Sequence, residues 1–123
     1  MENTKHGNHS QITKNFSASY RGLYRKHIEE LMKDYTEESE VWTPQGKLTG
    51  KDAIRSFYTE VFKLCPAGKS QLDMKQTIAN DEKVYIVWGA DSALANIPTG
   101  TDTFEIKKDK IVFQTLAAHI IMK

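Results

Sequence analysis

A carboxylate and an amide on one apolar strand face are the residues of this sequence best suited to chemistry. Asp102 stands in Thr101-Asp102-Thr103-Phe104-Glu105-Ile106, and Gln114 in Ile111-Val112-Phe113-Gln114-Thr115-Leu116. Lys107-Lys108-Asp109 between them reads as a tight turn, with Asp109 in the left-handed conformation that aspartate tolerates. That placement pairs residue 106 with 110, 104 with 112 and 102 with 114. Side chains alternate across a strand, so one face carries Asp102, Phe104, Ile106, Val112, Gln114, Leu116 and Ala118. The other carries Thr103, Glu105, Ile111, Phe113, Thr115, Ala117 and His119. A slip of one residue would exchange the faces. In this register Asp102 and Gln114 meet in apolar surroundings, where a carboxyl holds its proton more tightly and can donate to a ligand oxygen. Gln114 has a plainer role beside it, since a buried polar group needs a partner.

Other candidates are fewer and weaker. Trp42, Trp88, Tyr35, Phe57 and Tyr58 read as core or as the wall of a cavity, and Tyr20 is placed to donate a hydroxyl into it. Phe104 and Leu116 share the Asp102 face. His119 falls on the opposite face, while His6, His9 and His27 are scattered over a tail and a helix. No His, Cys, Asp and Glu set has metal-ligand spacing, so no metal is expected. No phosphate-cradling glycine loop or nucleophile elbow is present, and no cofactor is expected. The single cysteine, Cys65, precedes Pro66 and reads as a packing thiol in a reducing compartment.

The elements that position these residues change character along the chain. Ile12, Phe16, Tyr20 and Leu23 recur at helical spacing over about Gln11 to Gly22. Ile28, Leu31, Met32 and Tyr35 do the same over about Arg25 to Asp34. Glu40 to Thr43 is strand-like, Pro44-Gln45-Gly46 is a turn, and Lys47-Leu48 begins the return. A third helix runs from Lys51 to about Leu64, with Ala53, Ile54, Phe57, Tyr58, Val61 and Phe62 as its stripe. Four strands follow: Gln71 to Ala79 with Leu72, Met74, Gln76 and Ile78 on one side, Lys83 to Ala93, Thr101 to Lys107, and Lys110 to Met122. Ile97-Pro98-Thr99-Gly100 interrupts the pattern. Helices followed by strands imply an α+β fold, an antiparallel sheet with helices on one face.

Composition bounds the functional classes. The 123 residues suit one domain, read as a disordered polar tail over 1–9 and a single domain over 10–123. Seventeen basic against sixteen acidic residues give a formal charge of +1, which argues against a nucleic-acid binder. No apolar run approaches the ~20 residues needed to span a bilayer, so no membrane partner is expected. Met1 to Ser10 lacks the apolar segment of a signal peptide, and a cytoplasmic location is the expectation. Ile111, Phe113 and Ala117 on the second face of the hairpin need cover, and a second subunit is the simplest cover.

Two stretches carry a family resemblance. They are Tyr35-Thr-Glu-Glu-Ser-Glu-Val-Trp42-Thr-Pro44 with Gly46-Lys-Leu-Thr-Gly50-Lys-Asp-Ala-Ile54-Arg-Ser-Phe57-Tyr58, and Gly100-Thr-Asp102-Thr-Phe104 with Lys110-Ile-Val-Phe-Gln114-Thr. From about residue 10 onward the chain resembles the SnoaL-like branch of the nuclear transport factor 2-like superfamily. The resemblance implies a cone-shaped half-barrel, with three N-terminal helices packed on a curved, mainly antiparallel sheet around a cavity. It also implies a homodimer formed through the outer sheet face. Members include ketosteroid isomerases, polyketide cyclases, epoxide hydrolases, dehydratases and proteins with no catalytic role. Asp102 matches the isomerases' neutral acid that donates to a developing oxyanion, and Tyr20 lies near their partner tyrosine. Their general base precedes the hairpin proline. Here that residue is Thr43, whose hydroxyl is too weak a base, so ketosteroid isomerase activity is not expected.

Three readings fit these residues. The first is a small-molecule site, with Asp102 and Tyr20 as donors and Gln114, Trp42, Trp88, Tyr35, Phe57, Phe104 and Leu116 around a mostly apolar ligand. It extends to isomerisation, cyclisation or hydration of a carbonyl-type substrate. The second is a binding domain without turnover, and the third is a dimerisation module whose interior is filled by its own side chains.

Overall fold

The computed structural model describes residues 28–66 and 69–123. Among them are two helices and six strands: α1 Ile28–Met32, β1 Tyr35–Thr43, β2 Gly46–Thr49, α2 Lys51–Leu64, β3 Gln71–Asn80, β4 Lys83–Asp91, β5 Ala95–Lys107 and β6 Lys110–Met122. The first of the three expected helices, about Gln11 to Gly22, lies outside the described residues, as does the tail over 1–9.

One sheet holds all six strands in the order β2-β1-β6-β5-β4-β3. Every pairing is antiparallel except β1 with β6, which is parallel. The sheet is curved and does not close, leaving β2 and β3 as its edges. Its longest strands are joined by two-residue turns, Asp81-Glu82 and Lys108-Asp109. Lys108 and Asp109 both have positive φ, at 51° and 65°, the hairpin geometry whose twist matches that of the flanking strands.

Bulges bend this sheet and decide which residues face the core. Along β6 the register passes from Ile106↔Ile111 to Glu105↔Phe113, so Val112 is an extra residue. Ile111, expected on the outer face, therefore turns inward and is buried. Beyond the bulge Phe104 pairs with Gln114 and Asp102 with Leu116, two residues from the expected register. A shift of two preserves the face, so Asp102 and Gln114 remain on the same side as diagonal neighbours. In β3 a shift between Met74 and Gln76 changes the alternation, and Ile78 points outward instead of continuing the Leu72–Met74 row. The expected interruption at Ile97–Gly100 is likewise a correction. All four are strand residues, because the missing N–H of Pro98 falls where β5 already shifts register against β6.

The β1 bulge places the first site residue. Four residues, 36–39, are accommodated between Tyr35↔Ile111 and Glu40↔Phe113. The Ser39 hydroxyl receives the Thr36 N–H at 2.8 Å and donates to the Ile111 carbonyl at 2.5 Å, fastening the bulge to β6. The strand is thereby turned so that Tyr35 and Val41 are both buried. α2 starts at Gly50, whose φ of +87° side-chain-bearing residues rarely adopt, and lays Ile54 and Tyr58 into the core. Val84, Ile86 and Phe104 of the central strands complete that core.

Candidate functional site

The polar residues of the core form one connected group. Asp102 on β5, Gln114 on β6, Tyr35 on β1, Tyr58 on α2 and Trp88 on β4 are all buried, with Asp102 and Gln114 at 1% and 0% exposure. Trp88 Nε1 donates to Asp102 Oδ1 at 2.7 Å, and Gln114 Nε2 donates to Asp102 Oδ2 at 2.9 Å. The second Nε2 hydrogen goes to the Tyr58 hydroxyl at 3.0 Å, and the Tyr35 hydroxyl donates to Gln114 Oε1 at 2.6 Å. Since that bond uses the only hydrogen of Tyr35, Tyr58 is the donor in the 3.2 Å contact between the two hydroxyls. Every donor hydrogen of the group is thus used once, and no buried polar side chain among the described residues lacks a partner.

Proton counting also fixes the charge state that this arrangement suits. Asp102 accepts on both oxygens, as a carboxylate does. Burial nevertheless pushes its pKa up to about 7, against the opposing pull of the Trp88 and Gln114 hydrogen bonds. Tyr58 is raised to about 12 by burial and by the charge of Asp102. Burial and the neighbouring Tyr58 push Tyr35 well above the usual phenol range. Asp102 is therefore the group of this cluster that can change charge near neutrality, and it can accept or donate according to its protonation.

Gly100 shapes the Trp88 end of the cluster. It is the cross-strand partner of Trp88, and a Cβ on it would lie 2.4 Å from the Trp88 ring. The indole thus fills the space that a side chain at residue 100 would need, and from there its Nε1 reaches Asp102.

Several candidates read from the sequence come together here. Asp102, Gln114, Tyr35 and Trp88 share the hydrogen-bonded group, and Phe104 is buried in the core beside it. Phe57 is partly buried, its ring 5.2 Å from that of Tyr58 in an edge contact, and Leu116 is half-buried opposite Asp102. Trp42 does not join them. It is 50% exposed on the outer face, packs edge-on against Phe113 at 5.0 Å and donates to Glu40. With Val41 turned inward, its strand neighbour must point outward. Tyr20 lies outside the described residues. Thr43 is held in the β1–β2 turn, donating to the Gly46 carbonyl and accepting from the Gln45 N–H.

Two contributors went unassigned in the sequence. Tyr58 read only as a wall residue, although a tyrosine on a buried helix stripe has a hydroxyl that must find a partner. Gly100 read as a break, and its role appears only once it is paired with Trp88. Cys65 is buried at the end of α2 with its thiol pKa pushed up by burial, which fits packing rather than nucleophilic work. His119 is exposed. Among the described residues no cluster has metal-binding composition, and no helix is long and apolar enough to cross a membrane.

A family model described as a SnoaL-like domain matches residues 16–114. Among solved structures, a de novo designed protein with a curved β-sheet superposes with a TM-score of 0.75 at 14% identity, over 89% of this chain and 86% of its own. A protein from Kribbella flavida DSM 17836, described provisionally as a ketosteroid isomerase, gives 0.71 at 16% identity over 89% and 78%. A SnoaL-like protein of unknown function from Burkholderia thailandensis E264 gives 0.68 at 16% identity over 90% and 95%. At these identities the likeness is one of fold. No curated protein sequence matches the chain.

Proposed function

The chain belongs to the SnoaL-like domain family, and from that premise we propose that it binds a small, largely apolar molecule whose one polar end meets Asp102. The observation that carries this reading is a carboxyl 1% exposed, held by Trp88 and Gln114 and paired across the sheet with Leu116, which burial pushes up to about 7. A buried acid poised near neutrality is costly to maintain and is characteristic of sites that handle protons. In its neutral form it donates to a carbonyl oxygen, and in its ionised form it accepts from a hydroxyl. Tyr20 is the proposed second donor. Acid-assisted isomerisation, cyclisation or hydration of a carbonyl compound fits this chemistry. Abstraction of a C–H proton by Thr43 does not, since its hydroxyl is tied into a turn.

A non-catalytic binder is the second reading, favoured by one observation. Asp102, Gln114, Tyr35 and Tyr58 already satisfy one another without a ligand. Two probes separate the readings: cyclohex-2-enone, an oxygen acceptor, and 2-naphthol, an oxygen donor. A binding site of either kind predicts saturable displacement of the Asp102 carboxyl NMR signal by at least one probe. An enzyme further predicts hydration of cyclohex-2-enone to 3-hydroxycyclohexanone, with water supplying the hydroxyl at C3 and the hydrogen at C2, lost in Asp102→Asn. If neither probe moves the Asp102 signal, the ligand reading fails.

The outer sheet face is proposed to pair with a second copy of the chain. Trp42, Thr115, Thr103, Tyr85 and Ile78 are successive cross-strand neighbours in one uncharged row spanning five strands. In the flanking row Lys83 and Glu105 offset one another, so this part of the face does not repel its own copy.

A further inference from the structure

We propose that Gln114 is a proton-responsive relay: when Asp102 takes up a proton, the Gln114 amide turns through half a turn and the hydrogen bonds joining Tyr35 and Tyr58 reverse their sense. The argument is one of hydrogen counting. In the arrangement described, Gln114 gives one Nε2 hydrogen to Asp102 and the other to Tyr58, while its Oε1 accepts from Tyr35. A proton added to Asp102 toward Gln114 would confront an N–H, and one added toward Trp88 would confront the indole N–H. Neither position offers an acceptor.

Exchanging the two ends of the amide resolves the conflict in place. Oε1 then faces Asp102 and Tyr58, accepting from both, while Nε2 faces Tyr35 and donates to it. Tyr35 in turn gives its hydrogen to Tyr58 across the same 3.2 Å contact. The side chain keeps its volume and every heavy-atom contact is reused. One Gln114 amide hydrogen is left over, so every donor hydrogen is bonded with Asp102 ionised and one is unpaired with it neutral. That shortfall opposes the rise that burial imposes on Asp102.

The groups facing Asp102 allow the switch to be read cleanly. β1 contributes Tyr35 and α2 contributes Tyr58, whereas β4 and β6 contribute the non-titrating Trp88, Gln114 and Leu116. Asp34, just before β1, acts on both tyrosines. Both phenols are raised above their ordinary range, so Asp102 titrates while they stay neutral. The inference rests on the hydrogen-bond geometry of the ligand-free protein and does not depend on the proposed function.

The test is NMR of the labelled full chain from about pH 5 to about pH 9, roughly two units either side of the Asp102 midpoint. The Gln114 Nε2 signal and the Tyr35 and Tyr58 Cζ signals are expected to move with the Asp102 midpoint. The hydrogen-bond scalar coupling from Gln114 Nε2 to the Asp102 carboxyl carbon, present at high pH, is expected to vanish at low pH. In Asp102→Asn the introduced amide presents an N–H to Gln114 at every pH. Its Tyr35 and Tyr58 signals should therefore stay near the wild-type low-pH values and lose their titration. Gln114→Met keeps the volume without the relay, and the tyrosine signals should no longer follow Asp102. The proposal is overturned if the coupling persists at both pH limits. It also fails if Gln114→Met leaves the tyrosine titration at full amplitude, which would assign it to the field of Asp102 alone.

Discussion

Trp88 and Gln114 hold the two oxygens of Asp102, and their donors offset the removal of that carboxyl from water. The position of Trp88 depends in turn on an absence, the missing side chain of Gly100. A methyl group there would meet the indole at 2.4 Å, against rigid ring atoms rather than a flexible chain end. Gly100→Ala is expected to destabilise the protein by about 1–3 kcal/mol, the usual cost of overpacking a core, read by urea denaturation. It should also raise the Asp102 midpoint, because the donor that pulls that midpoint down is displaced. A Gly100→Ala protein with unchanged stability and an unchanged midpoint would show that the indole is not held by this contact. At this scale the sequence was legible where polarity broke an apolar pattern. Asp102 and Gln114 stood out as polar residues on an apolar face. Val41 and Trp42 are adjacent and both apolar, so alternation buries one and exposes the other without saying which. The β1 bulge decides it, burying Val41 and leaving Trp42 half-exposed.

The hairpin of β5 and β6 carries both halves of the polar pair, so its register controls the site. Its position in the sequence was plain from Lys108-Asp109, and β6 runs over the expected residues. The bulge at Val112 was not legible, because an extra residue leaves no compositional mark when both possible faces are apolar there. The bulge moved the pairing by one residue and the two-residue turn, with Lys107 paired to Lys110, by another; the two together kept Asp102 and Gln114 on one side, which is why the site survived an incorrect register. The turn itself is suboptimal, since neither Lys108 nor Asp109 is the residue type that most favours positive φ. Replacing the pair with the favoured turn sequence, Lys108→Asn with Asp109→Gly, is expected to stabilise the protein by roughly 0.5–1 kcal/mol by relieving left-handed strain. A rise in the denaturation midpoint with an unchanged denaturant dependence checks this, and a fall would contradict the turn geometry.

For the whole molecule the curved sheet separates two surfaces of different composition. One side holds the core and the Asp102 group, and the other presents the uncharged row from Trp42 to Ile78. This division was legible from the order of helices and strands, with the first helix falling outside the described residues. If this outer row pairs with a second copy, Trp42→Lys should shift sedimentation from dimer to monomer while the Asp102 titration stays in place. Wild-type protein sedimenting as a monomer at concentrations of tens of micromolar or more would remove the dimer reading without touching the interior site.

The claim on which the functional account turns is that Asp102 is a buried acid poised near neutrality. Carbon-13 NMR of its side-chain carboxyl across pH measures this directly. The account predicts a single titration with a midpoint at about 7, removed in Asp102→Asn. A midpoint at the ordinary aspartate value of about 3.9 would mean that the carboxyl is solvated, and the account would be wrong.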